Sequence, residues 1–245
     1  MKFTYKAYEE LLSLLEKHGY TVCNYHNYQD HARSVIIRHD IDMDIAKALQ
    51  VAKLEQGRGV CSTYFVLVTS DFYNIFSRQN QAMLRRICAM GHEVGLHFDE
   101  AKYDAQQTDM VQAIEQEAML LEQCLGRATT SVSMHRPSQK TLEADYLIQG
   151  GKIVNSYGTE FFRKHKYVSD SRRNWREDVT AIVESGEYDR LHVLTHPFWY
   201  DEVERSAKEQ LKTFCEAQTG LCYDRMKENV RNLEEFLLKI ELGKE

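Results

Sequence analysis

Apolar positions along this chain alternate between a helical and an extended rhythm. Tyr8, Leu11, Leu12 and Leu15 share one helical face within residues 4–18, and Gly19 closes that segment. Val35-Ile36-Ile37 then reads as a strand that turns polar at Arg38-His39-Asp40-Ile41-Asp42. A helix follows through Ile45, Ala48, Leu49 and Ala52, ending near Gly57 and Gly59. The β-branched and aromatic run 62–68 predicts a strand, 80–90 a helix stopped by Gly91, and 93–96 a short strand running into His97-Phe98-Asp99. Further on, the pattern predicts a long amphipathic helix over 108–125, a strand at 131–134, a helix at 139–149, and strands near 152–154, 167–170 and 191–194. Two helices, 202–217 and 225–241, close the chain.

Strands that alternate with helices imply a parallel α/β sheet. The polar residues give this pattern its meaning. Asp40/Asp42, His97/Asp99, His135/Arg136 and His196 each follow an apolar strand. In a parallel barrel such strand ends lie on one rim, where active sites are assembled. The phosphate-binding signatures Gly-x-Gly-x-x-Gly and Gly-x-x-x-x-Gly-Lys-Ser/Thr are absent, so neither dinucleotide nor P-loop chemistry has motif support.

Composition narrows the class further. Hydrophobic residues make up 43% and charged residues 28% of 245 positions, enough for a sizeable core. With 31 basic and 37 acidic residues the net charge is −6, which disfavours a nucleic-acid partner. No run of 18 apolar residues is present to span a membrane, and the amino terminus lacks the apolar core of a signal peptide, so a cytoplasmic location is expected. None of the six cysteines forms Cys-x-x-Cys, and they read as reduced side chains. There are 2 prolines, where a chain of this length would carry about 12. Both lie beside the candidate chemistry, in His135-Arg136-Pro137 and His196-Pro197.

Asp40 and Asp42 are two apart on extended backbone and so point to the same side. Two carboxylates that close favour a cation between them. The ordered set Ile36-Ile37-Arg38-His39-Asp40-Ile41-Asp42, Gly91-His92-Glu93-Val94-Gly95-Leu96-His97-Phe98-Asp99, Ser133-Met134-His135-Arg136-Pro137-Ser138, Tyr167-Val168-Ser169-Asp170-Ser171 with Trp175, and Leu194-Thr195-His196-Pro197 resembles the polysaccharide deacetylases of the NodB-homology type, carbohydrate esterase family 4. It is most similar to the leaderless branch found beside surface-polysaccharide genes, and it covers roughly residues 30–200. The resemblance implies an incomplete (β/α)7-type barrel with extra N- and C-terminal helices, forming a single domain over 1–245 with C-terminal helices at 202–241. It also implies a metal-dependent N-deacetylase acting on an N-acetylated sugar.

By motif position, Asp40 resembles the catalytic base, Asp42 and His97 metal ligands, Arg136 the arginine that orients the base, and His196 the general acid. Trp175, with Trp199 and Tyr200, would offer flat faces to a sugar. The family's second metal histidine, four residues after the first, is Ala101 here. His135 is the candidate third ligand because it ends a strand on the same rim, and Asp99 is second choice. A mixed carboxylate/imidazole set suits Zn²⁺, with Co²⁺, Ni²⁺ or Mn²⁺ compatible. Two other readings stand beside this one: an esterase or other amidase on the same scaffold, and an inactive barrel that binds a glycan or a protein partner. The oligomeric state is left open.

Overall fold

A computed structural model describes residues 1–104 and 106–242. It has two compact units, Met1–Glu202 and Val203–Glu245, the second described as far as residue 242. The first contains strands β1 (Thr21–Cys23), β2 (Ser34–Ile41), β3 (Thr63–Leu67), β4 (Glu93–Phe98), β5 (Ser131–Met134), β6 (Val154–Asn155), β7 (Lys166–Ser169) and β8 (Arg190–Thr195). Its helices are α1 (Tyr5–Lys17), α2 (Ile45–Gly57), α3 (Arg78–Ala89), α4 (Met110–Leu125), α5 (Gln139–Ala144) and α6 (Val179–Ser185).

β2 is buried along its whole length, as a strand covered on both faces must be. Its outward residues Val35 and Ile37 join a cluster with Leu11, Leu12 and Leu15 of α1 and with Leu191 and Val193 of β8. Its inward residues start with Ile36, which packs with Tyr25, Phe65 and Phe161 inside the curved sheet. Gly95 makes room for this filling. A Cβ there would come within 2.5 Å of Ser131 Oγ and 2.7 Å of Phe65 Cε1.

All the strand pairings are parallel, in the order β6-β5-β4-β3-β2-β8-β7, with β1 beside the first half of β2. Read as a ring, this is sequential order with β2 and β8 joined. Among the described residues β6 and β7 are not paired, so the barrel is incomplete, as the sequence led us to expect. Because the strands are parallel, their carboxyl ends share one rim. The register sets Leu67 beside His97, His97 beside Ser133, and His39 beside Thr195.

Several boundaries differ from the sequence pattern. The helix expected over 139–149 stops at Ala144, because Asp145 turns left-handed (φ 45°). β1 and α6 went unnoticed. β1 has three residues, and α6 has seven between its Asp178 cap and a left-handed Gly186. In the second unit, the two helices expected at 202–217 and 225–241 are replaced by one, α7 (Ala207–Asn229), followed by short 3₁₀ turns at Leu233–Glu235 and Lys239–Leu242. α7 starts at a reciprocal Ser206/Glu209 cap and runs through Gly220, since an isolated glycine is tolerated in a helix. The left-handed Asn232 (φ 58°) marks the turn beyond it. No described helix is long and apolar enough to cross a membrane.

Candidate metal centre and cleft

The rim of strand ends opens into a cleft of about 790 Å³ lined by Asp40, Asp42, His97, His135, His196 and Trp199, among others. Asp40 is the last inward residue of β2 and is 3% exposed. Its Oδ2 accepts a hydrogen bond from Arg38 Nη2 at 3.2 Å, while Oδ1 is buried with no hydrogen-bond partner. Arg38 is wholly buried. It donates to Ser156 Oγ (2.7 Å) and Tyr157 Oη (2.9 Å), and its guanidinium lies 4.5 Å from the centre of the Tyr157 ring.

The arginine beside Asp40 is therefore Arg38 rather than Arg136. Arg136 adopts a left-handed backbone (φ 46°) just past β5, and its side chain is 77% exposed, with Nη2 3.8 Å from Asp99. Position 38 reaches Asp40 because residues two apart on a strand face the same side. That spacing was legible in Arg38-His39-Asp40, and the motif match drew attention to the wrong arginine.

Asp42, His97 and His135 meet in the cleft, and one donor atom from each lies within 4.8 Å of the others. His97 Nε2 and His135 Nδ1 are each 3.4 Å from Asp42 Oδ1 and 3.1 Å from each other. His97 Nδ1 faces the Ser133 carbonyl at 3.4 Å. With the proton on Nδ1, that contact leaves Nε2 available to a cation, the usual support for a ligating imidazole. Burial would raise the Asp42 pKa, but the neighbouring imidazoles of His135, His97 and His196 outweigh it and hold the carboxyl well below its ordinary range.

The donor set fits a divalent cation. Asp42 Oδ1 is buried without a well-formed hydrogen bond, and two imidazole nitrogens converge on it. Carboxylate plus imidazole is a set that borderline metals accept. Ala101 is exposed on the 3₁₀ turn Glu100–Lys102 and offers no donor. Asp99, the second-choice ligand, caps that turn by accepting from the Ala101 amide at 3.2 Å.

His196 faces this cluster from the end of β8, with Nε2 4.0 Å from Asp42 Oδ2. Its Nδ1 donates to Asp170 Oδ1 at 2.6 Å, and its amide donates to Asp170 Oδ2 at 3.1 Å. Burial opposes charge on this ring, but the Asp170 carboxylate, with Asp42 and Asp40 nearby, raises the pKa to about 9. Asp170 is fully buried and had no role in the sequence reading, although it stands within the quoted Tyr167–Ser171 stretch. Tyr73 was also missed. Its hydroxyl donates to the Ile41 carbonyl (2.5 Å) and accepts from the Leu67 amide (3.0 Å), tying the end of β2 to the end of β3.

The expected aromatic wall is only partly where the sequence placed it. Trp199 lines the cleft. Tyr200 is 1% exposed and donates to Asp170 Oδ2 at 3.1 Å, so it braces the aspartate instead of facing a ligand. Trp175 packs against the core cluster beneath α1. The cleft's other aromatic faces come from Phe72, Tyr157, Phe162 and Tyr167.

No protein-family model matches this chain, and no curated protein matches it in sequence. Among solved structures it is similar to the Streptococcus pyogenes deacetylase PplD in complex with acetate, at 11% identity over 79% of this chain and 83% of that one (TM-score 0.44). It is also similar to the peptidoglycan deacetylase PdaC from Bacillus subtilis, at 13% identity over 80% of this chain and 97% of that one (TM-score 0.45). A third is BA3943 from Bacillus anthracis, a CE4 family pseudoenzyme, at 15% identity over 76% of this chain and 62% of that one (TM-score 0.43).

Proposed function

We propose that this cleft is the active site of a metal-dependent deacetylase that removes an acetyl group from the nitrogen of an N-acetylated sugar. One observation carries the reading: a three-donor cluster, a buried carboxylate with a free oxygen and an aspartate-backed imidazole all face the same cleft.

Asp42, His97 and His135 would hold the divalent cation, with zinc the best match to the donors. Bound there, the metal supplies Lewis acidity toward a carbonyl oxygen and makes a water more acidic. Arg38 holds Oδ2 of Asp40, which leaves Oδ1 turned to the cleft as the acceptor for a proton from the attacking water. Across the cluster, His196 stays protonated at neutral pH, with Nδ1 committed to Asp170. Its Nε2–H is then free to protonate the departing amine, which is a poor leaving group otherwise. Trp199 and Tyr157 supply apolar faces for the sugar ring.

The test is elemental analysis of the purified protein together with acetate release from N-acetylhexosamine derivatives. The expected result is about one metal per chain and metal-dependent release that Asp40→Asn abolishes. A protein that takes up no supplied metal, with release unchanged by Asp40→Asn, would sink the proposal.

A further inference from the structure

Each acidic side chain lining the cleft has a basic side chain beside it. Asp40 has Arg38 at 3.2 Å, and Asp42 has His97 and His135 at 3.4 Å. Asp71 lies 2.6 Å from Lys102, Asp99 3.8 Å from Arg136, and Glu177 2.5 Å from Lys166. Two lining cations are left over. Arg172 and Arg176 are exposed, line the same cleft, and have no acidic partner among the described residues. The cleft therefore presents two uncompensated guanidinium groups beside a floor whose carboxylates are already partnered.

The backbone supports the same point. Arg172 (φ 60°) and Arg173 (φ 54°) are consecutive residues in the left-handed region that favours glycine. Such strain persists only where the surrounding structure enforces it, and it gathers at functional sites. Here it lies in the link between β7 and α6, just after Asp170, the residue that backs His196.

We propose that the cleft takes an N-acetylated sugar bearing a phosphate group, with the phosphate on Arg172 and Arg176 and the acetamido group at the Asp40/Asp42 floor. Two planar guanidinium forks match the geometry and the charge of a phosphate. A cleft of about 790 Å³ is within the size range of small-molecule sites and has room for both halves. The acetamido half rests on the deacetylase reading, while the phosphate half can be tested without turnover. Free sugar phosphates and nucleotide-linked sugars share this chemistry.

The experiment is titration calorimetry on the metal-loaded protein with N-acetylglucosamine, its 1-phosphate and its uridine diphosphate conjugate, run beside acetate release from each. The phosphorylated sugars should bind about tenfold or more tightly than the neutral one, as expected for charge-assisted contacts. That preference should weaken as salt rises from about 0.05 to 0.5 M. It should shrink to about threefold or less in Arg172→Gly/Arg176→Gln, where the glycine also relieves the strained backbone. Arg172→Lys/Arg176→Lys should retain part of it. Tighter binding of the nucleotide conjugate than of the 1-phosphate identifies a nucleotide-linked substrate, and equal binding a free sugar phosphate. Equal binding of neutral and phosphorylated sugars overturns the proposal, and so does a preference that survives in the glycine/glutamine variant. Arginine-dependent phosphate binding with no acetate from any probe upholds the phosphate site and removes the deacetylase reading alone.

Discussion

The two faces of β2 carry buried carboxylate–imidazole clusters of opposite character. On the outer face, Glu55 Oε1 accepts from Tyr8 Oη (2.5 Å) and lies 2.9 Å from His39 Nε2, while Oε2 accepts from Ser62 Oγ and Tyr64 Oη, each at 2.6 Å. His39 Nδ1 is in turn 2.6 Å from Thr195 Oγ1 on β8. Both oxygens of Glu55 are satisfied, and neither Glu55 nor His39 is exposed. On the inner face, Asp40 and Asp42 each keep one buried oxygen without a hydrogen bond, and both line the cleft. A completed polar network rigidifies a fold, whereas an unsatisfied buried oxygen is a cost that a ligand can relieve. The same two functional groups, carboxylate and imidazole, thus serve structure on one side of the strand and offer chemistry on the other.

The sharpest way to break this comparison is Asp40→Asn. Acetate release should fall by about 10²- to 10⁴-fold, the usual contribution of a general base. Undiminished release would mean that the inner cluster is not catalytic. The mirror experiment is Glu55→Ala. Removing one member of a buried ionic network typically costs about 3–5 kcal/mol, so the urea midpoint should drop steeply. A variant that unfolds at the wild-type denaturant concentration would show that the outer network does not stabilise the fold.

A moderate effect is expected from pH. Release should decline as pH rises through about 9, where His196 loses its proton. Asp170→Asn should move that limb toward the ordinary histidine range, because the carboxylate that raises the pKa is gone. The same group is linked to stability. Its folded pKa lies above the unfolded value of about 6.5, so its contribution is complete below about 6.5 and fades as pH rises through about 9. A basic limb that stays in place in Asp170→Asn would remove His196 as the titrating acid.

The smallest effect concerns another buried carboxylate, Glu117, which receives a hydrogen bond from Tyr103 Oη (2.6 Å). Burial, reinforced by the nearby Asp99, outweighs that bond and raises its pKa to about 7. Its contribution is therefore fully present below about 4.5 and lost as pH rises through about 7. Glu117→Gln should flatten that part of the stability–pH curve. Glu55, surrounded by donors and brought down to about 2, should contribute no slope there. An unchanged curve in Glu117→Gln would remove this contrast.

The incomplete barrel was legible because its central strands β2, β3, β4, β5 and β8 carry their own apolar runs, four of them with polar exits. The Asp42/His97/His135 grouping was legible for the same reason: each residue ends a strand, and parallel strands bring their ends to one rim. Arg38 was misjudged although its signal was local, the two-residue spacing to Asp40. The real role of Tyr200 had no local signal at all. Its hydroxyl finds Asp170 30 positions away in the chain. The C-terminal helix pair was misread because a glycine that looks like a stop can be absorbed in a helix.

The amino-acid sequence by itself determined the alternation of strands and helices, the side of each strand that a residue faces, and the donor types gathered at the strand ends. These follow from periodicities of two and of about 3.6 residues, which act over a few neighbouring positions. Only the tertiary structure decided that Asp170 serves His196, that Arg172 and Arg176 are left uncompensated, and that Glu55 is satisfied while Asp42 is not. Those outcomes depend on pairings between distant segments, such as His39 with Thr195 across 156 positions, and no local rhythm specifies which polar atoms will meet.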